Sequence, residues 1–572
     1  MYQSIAPGGV FIHGKYDFFR TKPYSGIIEA MEMFCVDLSL KNQFITRGYR
    51  SLILDAVGDE GKLLTNIIEN LHDVIGEQPE VSDKHGNEAK NRLNYVFTSF
   101  IKAIASNSKP LILVLEDLQW IDAASIELLK ALVKNKVKNV MLVGVYRDKN
   151  GICDTQKPQL EGFLNFVEET GVTPTEIMLD DLHHESVNDL ISDTLCISSL
   201  ESHLLTAYVH SKTKGNPLFV KEMLKSLFEN KKITFNYDMH KWQWDKSIYE
   251  TKGVAENVRD HLRQKVQSSS KYTRQTLKIA TCLGRYFSLS ILYKVIGDKQ
   301  GVDEALSSGM IIHYKENDMY CFVHDQVQLA AKSLLPKDPK PIYMYIARKL
   351  LKNFTKSEFA DNICFLAHLF RASKNLIKDN ERLNIAELMQ AGGELEMISL
   401  SYDQALQYFE TGIELLDENC WKENHELSVK IHCNAAKSAF CMANYGRMNV
   451  FIKKILDNAT TLKEALPAYT IMVQYYSYTN KHQEATVAAL DVLNKLGESI
   501  NLRQNQHLAE IEIMKAKSLG GLSIDRVIDL PVADNSTLLL KMEFLNAILF
   551  SAFHMDPSLF VVLACKFQYL ER

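Results

Sequence analysis

The feature that most constrains this chain is the run Leu111-Ile112-Leu113-Val114-Leu115, which ends in Glu116-Asp117. Five consecutive apolar residues leave no polar face for water. The run therefore suits a strand covered on both sides, as in a parallel sheet. Val140 to Tyr146 (VMLVGVY) reads as a second buried strand, and Ala123 to Val133 between them has helical spacing. Val10-Phe11-Ile12-His13-Gly14 is a shorter apolar run closed by Gly, and Ile177-Met178-Leu179 is one further strand candidate. Ile27 to Leu40 and Asn91 to Ala105 read as helices, and the polar stretch 76–90 as a loop. Strands alternating with helices predict a doubly wound α/β domain over residues 1–180.

Beyond residue 181 apolar residues recur at three and four, and strand candidates nearly vanish. A helical lid is expected at 181–253. Trp242 and Trp244 alternate with polar residues in KWQWDK, which suits a hairpin strand. Two β-like runs, Met310 to Tyr314 and Met319 to Val323, flank a short polar turn. Helices followed by such a hairpin suggest a winged-helix unit at 254–340. Residues 341–572 show a period near 40: Ala405, Phe409 and Gly412 match Ala485, Ala489 and Val492 eighty residues on, with Phe451 midway. Small residues at that period are what stacked helical hairpins require, so TPR-like repeats are expected. With only 26 Gly and 13 Pro in 572 residues, a largely helical chain fits. The fold class is thus α/β, then all-α.

Composition narrows the function classes. A net charge of -5 gives no general basic footprint for nucleic acid, though it leaves room for a local basic patch. The ten cysteines stand singly and form no CxxC pair, which argues against zinc and for a reducing compartment. No basic-then-apolar leader opens the sequence. The apolar stretch 538–567 is interrupted by Lys541, Glu543, His554 and Asp556, so no membrane segment is expected. His183-His184 has no acid or cysteine at ligand spacing and reads as a solvated helix start. A soluble, cytoplasmic protein is the expectation.

The acids after Leu115 carry the chemistry. Ligands of parallel sheets bind at the C-terminal ends of the strands. A carboxylate there can hold Mg²⁺, and a neighbour can polarise an attacking water. The plain alternative is an acidic N-cap for the next helix. The continuation LILVLEDLQWIDAASIELLKAL, with MLVGVYRD at 141–148, resembles the second half of a STAND-type AAA+ ATPase domain, a P-loop NTPase. The likeness is to the module between protein-kinase-like and GAF/histidine-kinase domains of multi-domain signalling proteins. FIHGKYDFFRTKPYSGIIEA at 11–30, GNPLFVKEML at 215–224 and FVHDQVQLAAKSLLP at 322–336 resemble further parts of that module in the same order. So do ALQYFETGIELL at 405–416, EATVAALDVLNKLG at 484–497 and RVIDLPVADNSTLLLKMEFL at 526–545. The resemblance implies ATP and Mg²⁺ as ligands. It implies Glu116 as the Mg²⁺-associated acid, Asp117 as the acid that positions water, Arg147 as the γ-phosphate sensor and Pro217 as the residue beside adenine.

The phosphate-binding loop of that family is not found. The near match Gly9-x4-Gly14-Lys15-Tyr16 has Tyr where a Ser or Thr hydroxyl should meet Mg²⁺, and its middle is bulky and apolar. In the resemblance this segment is the second strand of the sheet. The expectation is therefore an incomplete ATPase sheet, a fragment that begins inside the domain. Two readings compete. In one, a nucleotide-switched signalling module binds protein partners through its repeats, with flanking kinase domains as further partners. In the other, a catalytically dead scaffold binds proteins through the same repeats. A winged-helix transcription regulator is a distant third, and no nucleic acid is expected.

Overall fold

The computed structural model describes residues 9–16, 23–79, 81, 87–105, 110–147, 157–245, 258–284, 286–314, 319–417, 419–498, 500, 506–518 and 536–570. Residues 526–535 of the resemblance lie outside them. The chain divides into two compact units, one of residues 1–30 with 111–359, the other of 31–110 with 360–572.

The first unit opens with a parallel sheet of β1 (Val10–Lys15), β2 (Leu111–Glu116) and β3 (Val140–Gly144), in that spatial order. Ile12 pairs with Leu113, and Leu113 with Leu142. The loop-like match at Gly9–Tyr16 is thus a strand. Helix Ser25–Ser39 comes so close to it that a Cβ on Gly14 would lie 1.8 Å from the Gly26 carbonyl oxygen. Leu111, Leu113 and Leu115 are fully buried, as the apolar run requires. β3 departs from the expectation of burial. Met141 and Leu142 are exposed, and Val145 beyond the strand is exposed too. Among the described residues β3 pairs with β2 alone. Ile177-Met178-Leu179 forms no strand; these residues are 77%, 70% and 90% exposed. A lone apolar triplet becomes a strand only where a neighbouring backbone offers its hydrogen bonds, and among the described residues none does.

Helices His184–Leu195, Ser199–Thr213 and Pro217–Glu229 pack around Val187, Ile191, Leu205, Val209 and Val220. Ile233 of the antiparallel hairpin β4 (Ile233–Asn236) and β5 (Lys241–Trp244) joins that core. Helices Val258–Ser268 and Lys271–Leu283 follow. A small sheet then forms from β6 (Tyr286–Phe287), β7 (Ile311–Tyr314) and β8 (Met319–Phe322), in the order β6-β8-β7. β7 and β8 are the expected hairpin, and with the helices Leu289–Ile296 and Gln300–Ser307 they complete a winged-helix arrangement.

In the second unit, Phe34 packs edge-on against Tyr49 and Phe100. Asn87–Ile104 is one helix, so it starts within the stretch read as loop. The repeats are helical hairpins: Arg382–Ile398 with Tyr402–Leu415, His425–Cys441 with Tyr445–Asn458, and Leu462–Tyr478 with His482–Lys495. Their second helices begin at 402, 445 and 482, steps of 43 and 37 rather than an even 40. Ala405, Met448 and Ala485 therefore occupy equivalent, fully buried positions. The partner of Phe409 in the middle repeat is Ile452, the residue after Phe451, because the first step is 43 residues.

Helix Ser536–Met555 holds an 18-residue stretch long and apolar enough to cross a membrane. In this structure Phe544, Leu545, Ile548 and Ala552 bury their side chains with Leu490, Leu559 and Leu563. Lys541 of the same helix reaches Glu498 at 3.0 Å, and Lys566 reaches it at 3.2 Å.

Candidate functional site

The site lies at the C-terminal edge of the parallel sheet. Three chain segments arrive there in register: Lys15 at the end of β1, Glu116-Asp117 at the end of β2, and Val145 to Arg147 after β3. The backbone holds them: Tyr16 N donates to Glu116 O at 3.0 Å, Val145 N to Leu115 O at 2.9 Å and Leu118 N to Val145 O at 3.0 Å. Asp117 sits in the left-handed region (φ 55°), which turns the chain sharply after the strand.

Neither acid caps the next helix. That task falls to Asp122, whose carboxylate accepts Ser125 N at 2.8 Å, Ser125 Oγ at 2.6 Å and Tyr24 N at 3.1 Å. Burial pushes the Asp122 carboxyl pKa up against these hydrogen bonds. With the cap supplied five residues later, Glu116 and Asp117 carry no helix-capping duty. They are not free of charge partners, however. Lys15 Nζ lies 2.9 Å from Asp117 Oδ2 and 4.0 Å from Glu116 Oε2, and His13 Nε2 lies 3.3 Å from Glu116 Oε1.

Gln119 is the residue that sequence reasoning missed. It is 1% exposed. Its Nε2 donates to Asp117 Oδ1 at 2.8 Å, and its Oε1 accepts Arg147 N at 3.3 Å. One amide thus fixes both the second acid and the start of the loop bearing Arg147. The only sequence signal was its place two residues after the acid. The structure brings Glu116, Asp117 and Arg147 to one edge. Pro217 is the first residue of helix Pro217–Glu229, with Asn216 as its N-cap. Its local contact is made through Gly215, whose carbonyl accepts Leu182 N at 2.9 Å. A Cβ on Gly215 would meet Leu182 O at 2.0 Å, so that position needs glycine.

Two carboxylates at one strand end suit a hard divalent cation. No group of three or more His, Cys, Asp or Glu stands ready to hold a metal among the described residues. A Mg²⁺ there would complete its shell with water and phosphate oxygens, as this ion commonly does. Lys15 would have to give way to it.

Residues 1–143 match a family described as an AAA ATPase domain, and residues 183–239 match a domain of unknown function. The chain is 22% identical to hybrid signal transduction histidine kinase G of Dictyostelium discoideum, over 91% of this chain and 19% of that protein. It is 21% identical to peroxide stress-activated histidine kinase mak3 of Schizosaccharomyces pombe, over 74% of this chain and 18% of that one. The chain therefore spans about a fifth of the length of these curated relatives. Among solved structures it is similar to a signal transduction ATPase with numerous domains (STAND) from Pyrococcus horikoshii that bears a tetratricopeptide repeat sensor. There the identity is 13% and the TM-score 0.39, over 98% of this chain and 77% of the other. The family match and the two kinases agree with two parts of the resemblance read from the sequence: an AAA ATPase domain at residues 1–143, and a likeness to segments of signalling histidine kinases.

Proposed function

We propose that the chain is the ATP-binding switch module of a multi-domain sensor kinase in the cytoplasm. Regulatory ATP binding and hydrolysis would be read out through protein partners on the TPR-like repeats. In this reading Glu116 associates with Mg²⁺, Asp117 positions water, Arg147 senses the γ-phosphate and Pro217 packs beside adenine. The observation that carries it is the meeting of two acids, inside an AAA ATPase domain match at residues 1–143, with an arginine just beyond that match, at the C-terminal edge of a parallel sheet. A γ-phosphate contact at such an edge biases the arrangement of the domains it touches.

The test is MgATP binding by the natural full-length protein and by its Arg147→Ala and Asp117→Asn variants. The expected result is saturable binding, about tenfold weaker or more in Arg147→Ala, since the lost contact is a charged one. Asp117→Asn should bind with hydrolysis suppressed. Failure of the full-length protein to bind MgATP sinks this reading.

A second reading, a catalytically dead scaffold, draws on Lys15. Its ammonium lies 2.9 Å from Asp117 and neutralises the place a metal would take. On this reading the repeats bind protein partners whether or not nucleotide is present.

A further inference from the structure

Helix Lys271–Leu283 carries Lys271, Arg274 and Lys278 at spacings of three and four, so all three share one face. They line an open cavity of about 370 Å³ in the first unit. Its floor is apolar: Ile279 from the same helix, Leu334, and Ile342 with Tyr345 from helix Lys340–Asn353. Tyr345 is 41% exposed, and its hydroxyl is tied to Val295 O at 3.4 Å, which holds the ring in place. Lys349 Nζ stands 5.8 Å from the centre of that ring. Among the described residues no acid lines the cavity. Arg274 Nη1 donates to Gln267 O at 2.5 Å, and among the described residues no carboxylate pairs with any of the three cations.

This concentration of charge is regional. Residues 258–353 contain 16 Lys and Arg against eight Asp and Glu, in a chain whose net charge is -5. Three like charges on adjacent turns repel one another. An anion that accepts hydrogen bonds from several of them relieves that repulsion, and a dianion does so more than a monoanion. A planar guanidinium between two ammonium groups matches the oxygens of a phosphate. The apolar floor and exposed aromatic ring have no use in holding a bare ion. They offer a surface for a flat or aliphatic body. A concavity of this volume is in the range of small-molecule sites.

We propose that this cavity binds a small organic phosphate: a phosphate group on Lys271, Arg274 and Lys278, with an apolar or aromatic body laid on Ile279, Leu334, Ile342 and Tyr345. None of the sheet-edge residues lines this cavity, and the proposal does not depend on their role.

The probe is 1-naphthyl phosphate, titrated into the full chain by calorimetry, with inorganic phosphate and 1-naphthol as its two halves. The proposal expects saturable one-to-one binding of the whole probe, with each half about tenfold weaker or more. Arg274→Gln and Lys278→Gln should each weaken naphthyl phosphate about fivefold or more. Tyr345→Ala should weaken naphthyl phosphate while leaving inorganic phosphate unchanged. Matching melting curves confirm that these surface variants fold. The proposal is overturned if the Arg274→Gln/Lys278→Gln double variant binds the probe as the wild type does. It is equally overturned if the probe fails to saturate at millimolar concentration, or if duplex DNA alone binds and the same variants abolish it. That last result would make the face a nucleic-acid surface.

Discussion

Lys15 Nζ and Asp117 Oδ2 lie 2.9 Å apart across two neighbouring parallel strands, with side-chain exposures of 13% and 19%. Each side chain is therefore largely withdrawn from water, and removing one partner leaves the other short of compensation. Lys15→Met should destabilise the first unit by about 1–3 kcal/mol. The Lys15→Met/Asp117→Asn pair should recover part of that loss. A double-mutant cycle in urea measures the coupling, and strict additivity of the two substitutions would show that the ion pair has no energetic role.

Gln119 gives a sharper test of how the edge is built. Its amide serves a carboxylate on one side and a backbone N–H on the other. Gln119→Leu preserves the volume but leaves Arg147 N without this acceptor and Asp117 Oδ1 without this donor, with Lys15 remaining on the carboxylate. A loss of about 1–3 kcal/mol is expected. Chemical denaturation measures it; a change within about 0.5 kcal/mol, the range of ordinary surface substitutions, would contradict the bridging role.

Two glycines in the repeats should respond in opposite senses. A Cβ at Gly393 would lie 2.3 Å from Phe409 Cε1, in a core where Phe409 is fully buried. Gly393→Ala is expected to cost about 1–3 kcal/mol through overpacking. Gly446, in the first turn of helix Tyr445–Asn458, has open space around it. Gly446→Ala should stabilise by about 0.4–1 kcal/mol by restricting the unfolded chain. Thermal melts of the two variants, side by side, decide it.

His425 Nε2 lies 3.0 Å from Glu464 Oε2, and Glu464 also caps helix Leu462–Tyr478. The hydrogen bond to Glu464 raises the His425 pKa, and the one from His425 lowers Glu464 to about 2. The raised histidine contributes stability that is present below about pH 6.5 and lost as pH rises through its folded value. The lowered glutamate contributes stability that is present above about pH 4.3 and lost as pH falls toward 2. The pair should therefore help most between about pH 4.3 and 6.5. The melting temperature of His425→Gln should fall below wild type at pH 5.5 and approach it at pH 8.5; equal gaps at both would rule the pair out.

His432 behaves in the reverse sense. It is 2% exposed beside Trp421 and Phe451, and burial holds its imidazole pKa down at about 4. The unfolded chain takes up that proton near pH 6.5, so acidification from there toward 4 costs the fold stability. His432→Phe gives up the bond from Nδ1 to Ser428 O at 2.7 Å but should flatten this part of the pH profile. An unchanged slope between pH 6.5 and 4 would assign the acid sensitivity to other groups.

What could be read from the sequence was what is local. A five-residue apolar run needs a covered strand, and β2 is one. A hairpin announces itself by two runs and a polar turn, as β7 and β8 do. Relations between distant side chains left no such trace. Lys15 meets Asp117 only because β1 and β2 pair in one register, and Gln119 reads as an ordinary polar residue until the turn at Asp117 folds its amide inward. Ile177 to Leu179 shows the converse: apolar composition proposes a strand, but a strand also needs a neighbour. The basic region around Lys271, Arg274 and Lys278 was hidden by summing charge over the whole chain.

The exposure of Met141 on β3 has a practical consequence. Met141 is 60% exposed there, and an accessible thioether is oxidised by peroxide to the sulfoxide. The residue is in effect a native footprinting probe. Its rate of oxygen uptake, read by mass spectrometry of the peptide that contains it, would report whether anything covers that side chain at the moment of labelling, with no dye or tag attached.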